Sequence, residues 1–128
     1  MSQPGAQIIT IDLPWPHKGL SPNARLHFHQ LARLKKRYRA DCYLLTKAAR
    51  VTVGPGRHSL SLVFFPPDPR PRDRDNLLAS MKSGIDGMAD ALGVNDRNFD
   101  PVSASVAQGR LVKGGAVRIT IAPYEDRS

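Results

Sequence analysis

Cysteine is nearly missing: Cys42 is the single one in 128 residues. One thiol forms no intrachain disulfide and no cysteine-based zinc site, so a reducing, cytoplasmic setting is expected, with Cys42 packed as a buried thiol on the apolar side of a helix. Long hydrophobic runs are missing as well. No window approaches the roughly 18 apolar residues that span a bilayer, and the opening "MSQPGAQIITIDLPWP" has neither the basic start nor the apolar core of a secretory signal, so a soluble protein with no membrane partner is expected. There is no internal repeat and no low-complexity segment.

What the first part of the chain lacks most is negative charge. Residues 1–50 hold nine Lys/Arg against only Asp12 and Asp41, net +7, whereas the other 78 residues hold ten against nine, net +1, within a total of +8. The excess is therefore local, centred on "RLKKRYR". A positive field of that density attracts polyanions, and phosphate contacts supply most of the sequence-independent affinity for nucleic acid. At 41% hydrophobic residues the chain holds enough apolar material for one modest core, so a single domain over 1–128 is expected.

Strand and helix signals alternate. "AQIITIDL" is β-branched and ends at Pro14 and Pro16, and "HSLSLVFF" reads as a second strand with an apolar end. Between them "HKGLSPNARLHFH" is a loop. From about Leu31 a helix is predicted, with Leu34, Tyr38, Cys42, Leu45 and Ala49 completing its inner face at spacings of three and four, and with the basic residues outside. "VTVGPG" is a turn, and "PPDPRPR" has too many prolines for regular structure. After the acidic region, "PVSASVAQGRLV" and "GAVRITIAP" read as two strands joined hairpin-fashion near Gly114 and Gly115, followed by a polar tail "YEDRS". Trp15, between prolines, is expected to pack. His27 and His29, two apart, suit loop packing or phosphate contact better than metal ligation.

Residues 70–96, "RPRDRDNLLASMKSGIDGMADALGVND", gather five of the eleven acids, interleaved with arginines. Leu77, Met81, Ile85, Met88 and Leu92 form one apolar stripe of a predicted helix that ends at Gly93. At about 100° per residue, Asp75, Ala79, Lys82 and Asp86 share the opposite side. Asp73 lies two positions before Asp75 in extended chain and projects the same way. Each acid has an ordinary reading: Asp73 or Asp75 as a helix cap, Asp86 paired with Lys82, Asp96 in a turn. Gathered together, two carboxylates about 5 Å apart repel by roughly 3 kcal/mol at an effective dielectric of about 20. A hard divalent ion compensates that repulsion, so Mg²⁺, or Mn²⁺, held by Asp73, Asp75 and Asp96 is expected, with a bound water as nucleophile toward a phosphodiester. Arg70, Arg72 and Arg74 then grip flanking phosphates, and Lys82 stabilises developing charge.

This region resembles the signature of the RusA family of Holliday junction resolvases, in which an Arg-rich approach leads into D-x-D-N-L, a helix, then G-V/I and an acidic pair. The likeness covers about thirty residues, and "LSPNARLHFH" is similar to an Asn- and aromatic-containing loop near that family's N-terminus. The resemblance implies a small α+β fold, a mixed β-sheet packed with two main helices, that forms a homodimer and nicks four-way DNA junctions symmetrically with Mg²⁺. By position, Asp73 and Asp75 match the two motif acids and Asp96 the second acid of the later pair, whose first place is taken by Asn95. The family's lysine falls at Ala79, so Lys82, one turn on, takes its role. Junction binding falls to Asn23 and Arg25 in the loop and to Lys35, Lys36 and Arg37 on the basic helix. The competing expectations are a non-catalytic DNA- or RNA-binding protein, and a nuclease for other branched DNA.

Overall fold

In the computed structural model, which describes residues 8–124, four strands and three helices make a small mixed α/β domain. Residues 6 and 7 of the first predicted strand and 125–128 of the polar tail lie outside that range. The strands are β1 (Ile9–Pro14), β2 (His58–Phe65), β3 (Phe99–Val106) and β4 (Ala116–Pro123); the helices are α1 (Phe28–Ala49), α2 (Arg74–Ser80) and α3 (Lys82–Leu92). Among the described residues no helix is long and apolar enough to cross a membrane.

Alternation along the strands builds the core. Ile9, Ile11 and Leu13 of β1, Leu60, Leu62 and Phe64 of β2, and Val117, Ile119 and Ile121 of β4 are all buried on one face, as the two-residue period of a half-covered sheet requires. Their neighbours on the other face are more polar, and there Arg118 donates to Asp12 at 2.9 Å. The helices cover the first face with Tyr38, Cys42, Met81, Met88 and Ala89. Burial pushes the Cys42 thiol up to about 12, so it stays protonated and packs as the sequence suggests.

The sheet order is β1-β4-β2-β3, antiparallel except for β2 beside β3, which run parallel. The hairpin expected between the last two strands is therefore not formed. β4 crosses the sheet to lie between β1 and β2, while β3 takes the far edge. Gly114 and Gly115 do turn the chain, with φ of 78° and 75°, but Gly115 is lodged against Trp15, where a β-carbon would come within 2.8 Å of three of its atoms. The turn serves that contact rather than a tight strand pair. Trp15 is packed as expected, edge-on to Phe64 with ring centroids 5.9 Å apart.

Helix α1 starts at Phe28, three residues earlier than its apolar period suggests, because the His27 ring accepts from the His29 amide at 3.3 Å and caps it. Tyr38, Cys42 and Thr46 are its buried residues. Leu45 and Ala49, predicted to face inward, are exposed instead; Thr46 is tolerated in the core because its hydroxyl donates to the Cys42 carbonyl at 2.7 Å. Where α1 meets α3 the backbones come close. A β-carbon on Gly87 would collide with the Arg39 carbonyl, and one on Gly84 would meet the Tyr38 ring and the Cys42 sulfur.

Candidate functional site

The proline-rich segment 66–72 has no regular structure, as predicted, and is held by Asp68. Its carboxylate accepts from the Arg70 guanidinium at 3.0 Å through both oxygens and from Arg72 at 3.0 Å. The guanidinium of Arg70 beside it holds the Asp68 carboxyl well below the usual range. Arg72 also donates to the Asp68 and Arg70 carbonyls and lies 5.2 Å from the centre of the Trp15 ring. Its side chain is only 14% exposed. Arg72 thus braces the loop from inside, contrary to its expected place as a free phosphate fork, whereas Arg70 is paired yet open to solvent.

Asp73 follows as the cap of α2. One of its carboxylate oxygens accepts from the Asp75 amide at 2.8 Å and the Asn76 amide at 3.2 Å. The ordinary reading of this acid is therefore met, although it remains exposed. Asp75, in the first turn, is paired loosely with Arg74 at 3.8 Å and is 88% exposed. Two recesses flank Asp73. One, of about 480 Å³, is lined by Arg72, Asp73, Arg74, Asp75 and the end of β3. The other, of about 260 Å³, lies toward Trp15, Lys18 and Arg70.

The predicted single helix is interrupted at Met81. The Met81 amide bonds back to Leu78 and Ala79 instead of continuing the ladder, and its side chain is fully buried with the Tyr38 hydroxyl 3.2 Å from its sulfur. The alignment of Asp75 with Lys82 and Asp86, which assumes an unbroken advance of 100° per residue, does not hold across that break. Lys82 and Asp86 instead open a third recess, of about 410 Å³, lined also by Arg39, Asp90, Asn95 and Asp96. It shares no lining residue with the recess of Asp73 and Asp75.

Asp96 reaches this recess because α3 ends at Gly93 in the left-handed region, φ 72°, and the chain turns back into a 3₁₀ turn, Asp96–Asn98, capped by the Asn95 side chain. Lys82 Nζ stands 4.0 Å from Asp86 Oδ1 and 4.0 Å from Asp96 Oδ2. The Asp86 carboxyl is pushed above its ordinary range, first by burial and then by hydrogen bonding to the Asp96 carboxyl, with Lys82 opposing. Arg39 of α1 closes one side through an ion pair with Asp90. Of the expected ligand set, then, Asp73 and Asp75 come together, and Asp96 and Lys82 come together, in separate recesses. Among the described residues no group of three or more His, Cys, Asp or Glu side chains is arranged to hold a metal ion. The Asp86–Asp96 pair is the donor set whose chemistry suits a hard cation: two carboxyl groups that share Lys82 at 4.0 Å, one of them made less acidic by burial and by its carboxyl neighbour.

The expected nucleic-acid cations are on the surface. Asn23, Arg25, Lys35, Lys36 and Arg37 are all exposed. Lys35 and Lys36 lie four and three positions before Arg39, one turn along the same side of α1, so the basic helix runs directly into the acidic recess. Arg39, Asp90 and Asp68 are the residues that sequence reasoning missed. Arg39 and Asp90 are 51 positions apart and meet only because Gly87 lets α1 approach. Asp68 did carry a local signal, an acid two and four residues before arginines in a proline-rich turn.

No protein-family model matches the chain. An uncharacterized protein of Xylella fastidiosa is 38% identical over 119 residues, an alignment that covers 90% of this chain and 76% of the relative. At that identity and coverage, the chain belongs to one family with the Xylella fastidiosa protein.

Proposed function

We propose that the protein is a Mg²⁺-dependent, structure-specific endodeoxyribonuclease of the RusA type that acts as a homodimer on four-way DNA junctions. The observation that carries this reading is the Asp86–Asp96 carboxyl pair with Lys82 4.0 Å from each, on a chain of net charge +8 and beside the middle of a basic helix. Lys82 offsets part of the repulsion between the two carboxyl groups, and a divalent cation would offset the rest while leaving coordination positions for phosphate oxygens. Asp86 and Asp96 would hold the metal, which supplies Lewis acidity toward a phosphodiester when bound. Lys82 neutralises charge beside them and is placed to stabilise an anionic oxygen. Asp75, exposed and free of any capping duty, is a further carboxylate in the neighbouring recess, whereas Asp73 is committed in part to α2. Lys35, Lys36 and Arg39 bring the phosphate backbone to the recess, and a two-fold dimer on a four-way junction yields paired cuts by symmetry.

A second reading, a non-catalytic DNA- or RNA-binding protein, is favoured by the separation of Asp73 and Asp75 from Asp96. A third substrate class, flaps or other branched DNA, fits the same site. Incubating purified protein with a synthetic four-way junction, a flap and a linear duplex, with and without Mg²⁺, separates all three. Symmetric nicks on the junction, abolished in Asp96→Asn, support the proposal; tight binding with no metal-dependent product from any substrate sinks it in favour of the binding protein.

A further inference from the structure

Three aromatic rings stand side by side at the exposed start of α1. His27 and Phe28 are stacked, with centroids 4.8 Å apart and planes 27° from parallel. Phe28 and His29 are 3.9 Å apart, and the two histidines 5.1 Å. Phe28 is 67% exposed, whereas Leu31 and Leu34, one and two turns further along α1, pack against the core. The cap of α1 is made by His27, so Phe28 is not needed there either. A large ring is thus held largely in water, and among the described residues its ring contacts are with the two neighbouring histidines.

The surroundings say what fits. From Leu13 to Ala40 there are seven Lys/Arg and no acid. On the unbroken helix, Lys35 is seven positions after Phe28 and Arg39 eleven, so at 100° per residue all three lie within about 20° of one line. That line runs about 16 Å from the rings to Arg39 and the acidic recess. A ligand that follows it needs flat aromatic faces at one end and regularly spaced negative charges along its length. A strand of DNA with an unpaired base has both.

We propose that the His27–Phe28–His29 cluster is a stacking platform for an unpaired base of the DNA strand, whose phosphates then track along Lys35 and Lys36 to Arg39. This rests on the reading of the protein as a DNA-binding one and adds the part of the substrate that is recognised: a base freed from its pair, as at a branch point. Stacking on an aromatic ring tolerates any base, so the platform selects unpaired structure rather than sequence.

The test is binding without metal, in EDTA, followed by fluorescence anisotropy with two labelled strands of about 20 nucleotides: oligothymidylate, and a strand of equal length and charge in which abasic residues replace the bases. The wild-type protein is expected to prefer oligothymidylate about tenfold. Phe28→Ala should lose that preference while binding the abasic strand as the wild type does, and Phe28→Tyr should keep it. Equal wild-type affinity for the two strands, or a loss in Phe28→Ala that is the same on both, overturns the platform. The nuclease reading fails separately: a base preference carried by Phe28 in a protein that never nicks DNA leaves the platform standing on a binding protein.

Discussion

Asp86 and Asp68 are both aspartates beside arginine or lysine, and their surroundings move them in opposite directions. Burial and the Asp96 carboxyl raise Asp86, so its ionised form weakens the fold: the stability it contributes when protonated is lost as pH rises from the ordinary aspartate range, about 4, through the raised folded value. Asp86→Asn removes that loss. Urea titrations across pH should show the variant at least as stable as wild type at pH 7, with a flatter slope above about pH 4; a variant clearly less stable at neutral pH would mean that the ionised carboxylate is held by favourable partners instead. Asp68, lowered by Arg70, behaves conversely, its contribution being present above about pH 4 and lost below it. Much at this scale was legible. The acids of "RPRDRD" and "GVND" stood out because like charges so dense in a basic chain need a partner. Asp86 was ambiguous, since its i, i+4 spacing to Lys82 describes a plain ion pair as well as a site; the ion pair is formed at 4.0 Å, and the return of Asp96 to the same lysine, which brings a second carboxylate there, was not legible in the spacing.

The meeting of α1 and α3 depends on small residues. A methyl group at Gly87 meets a carbonyl of the opposing backbone, which has no rotamer to yield, so Gly87→Ala should destabilise by roughly 1–3 kcal/mol despite the gain of about 1 kcal/mol in helix propensity. Chemical denaturation measures this, and a stabilised variant would show that the helices part easily. The same change should loosen Arg39 from Asp90. Elements were largely visible in the sequence wherever a period was strong, as in β2, whose bounds coincide with "HSLSLVFF", and in the middle of α1. The break at Met81 was not visible. No proline stands beside it, and the interruption coincides with the burial of Met81 against Tyr38, a contact across 43 positions. The misread hairpin has a similar cause. Two glycines mark a turn, but where the next strand goes is decided by which sheet position is vacant, not by the turn.

For the whole molecule, charge is arranged rather than merely abundant: the middle of a cationic helix borders an anionic recess. DNA affinity should therefore be strongly salt-dependent. With about four phosphates engaged, it should fall about hundredfold between about 50 and 200 mM salt. Replacing Lys35 and Lys36 together by alanine should reduce the slope of log K against log salt by about 2. Binding measured across a salt series checks both, and an unchanged slope in the double variant would move the phosphate track off α1. The polarity of the two halves was plain from residue counts alone, whereas the seam joining them needed the fold.

Strand order carries a further consequence. β1 and β2 never touch through the backbone; each bonds to β4, the last strand of the described chain to be synthesised. A growing polypeptide that has emerged as far as residue 115 owns both helical faces and every acid of the recess, yet has no central plank on which to close its sheet. The segment that joins β1 to β2 is thus the last of these elements to be delivered, and closure of the sheet waits for it.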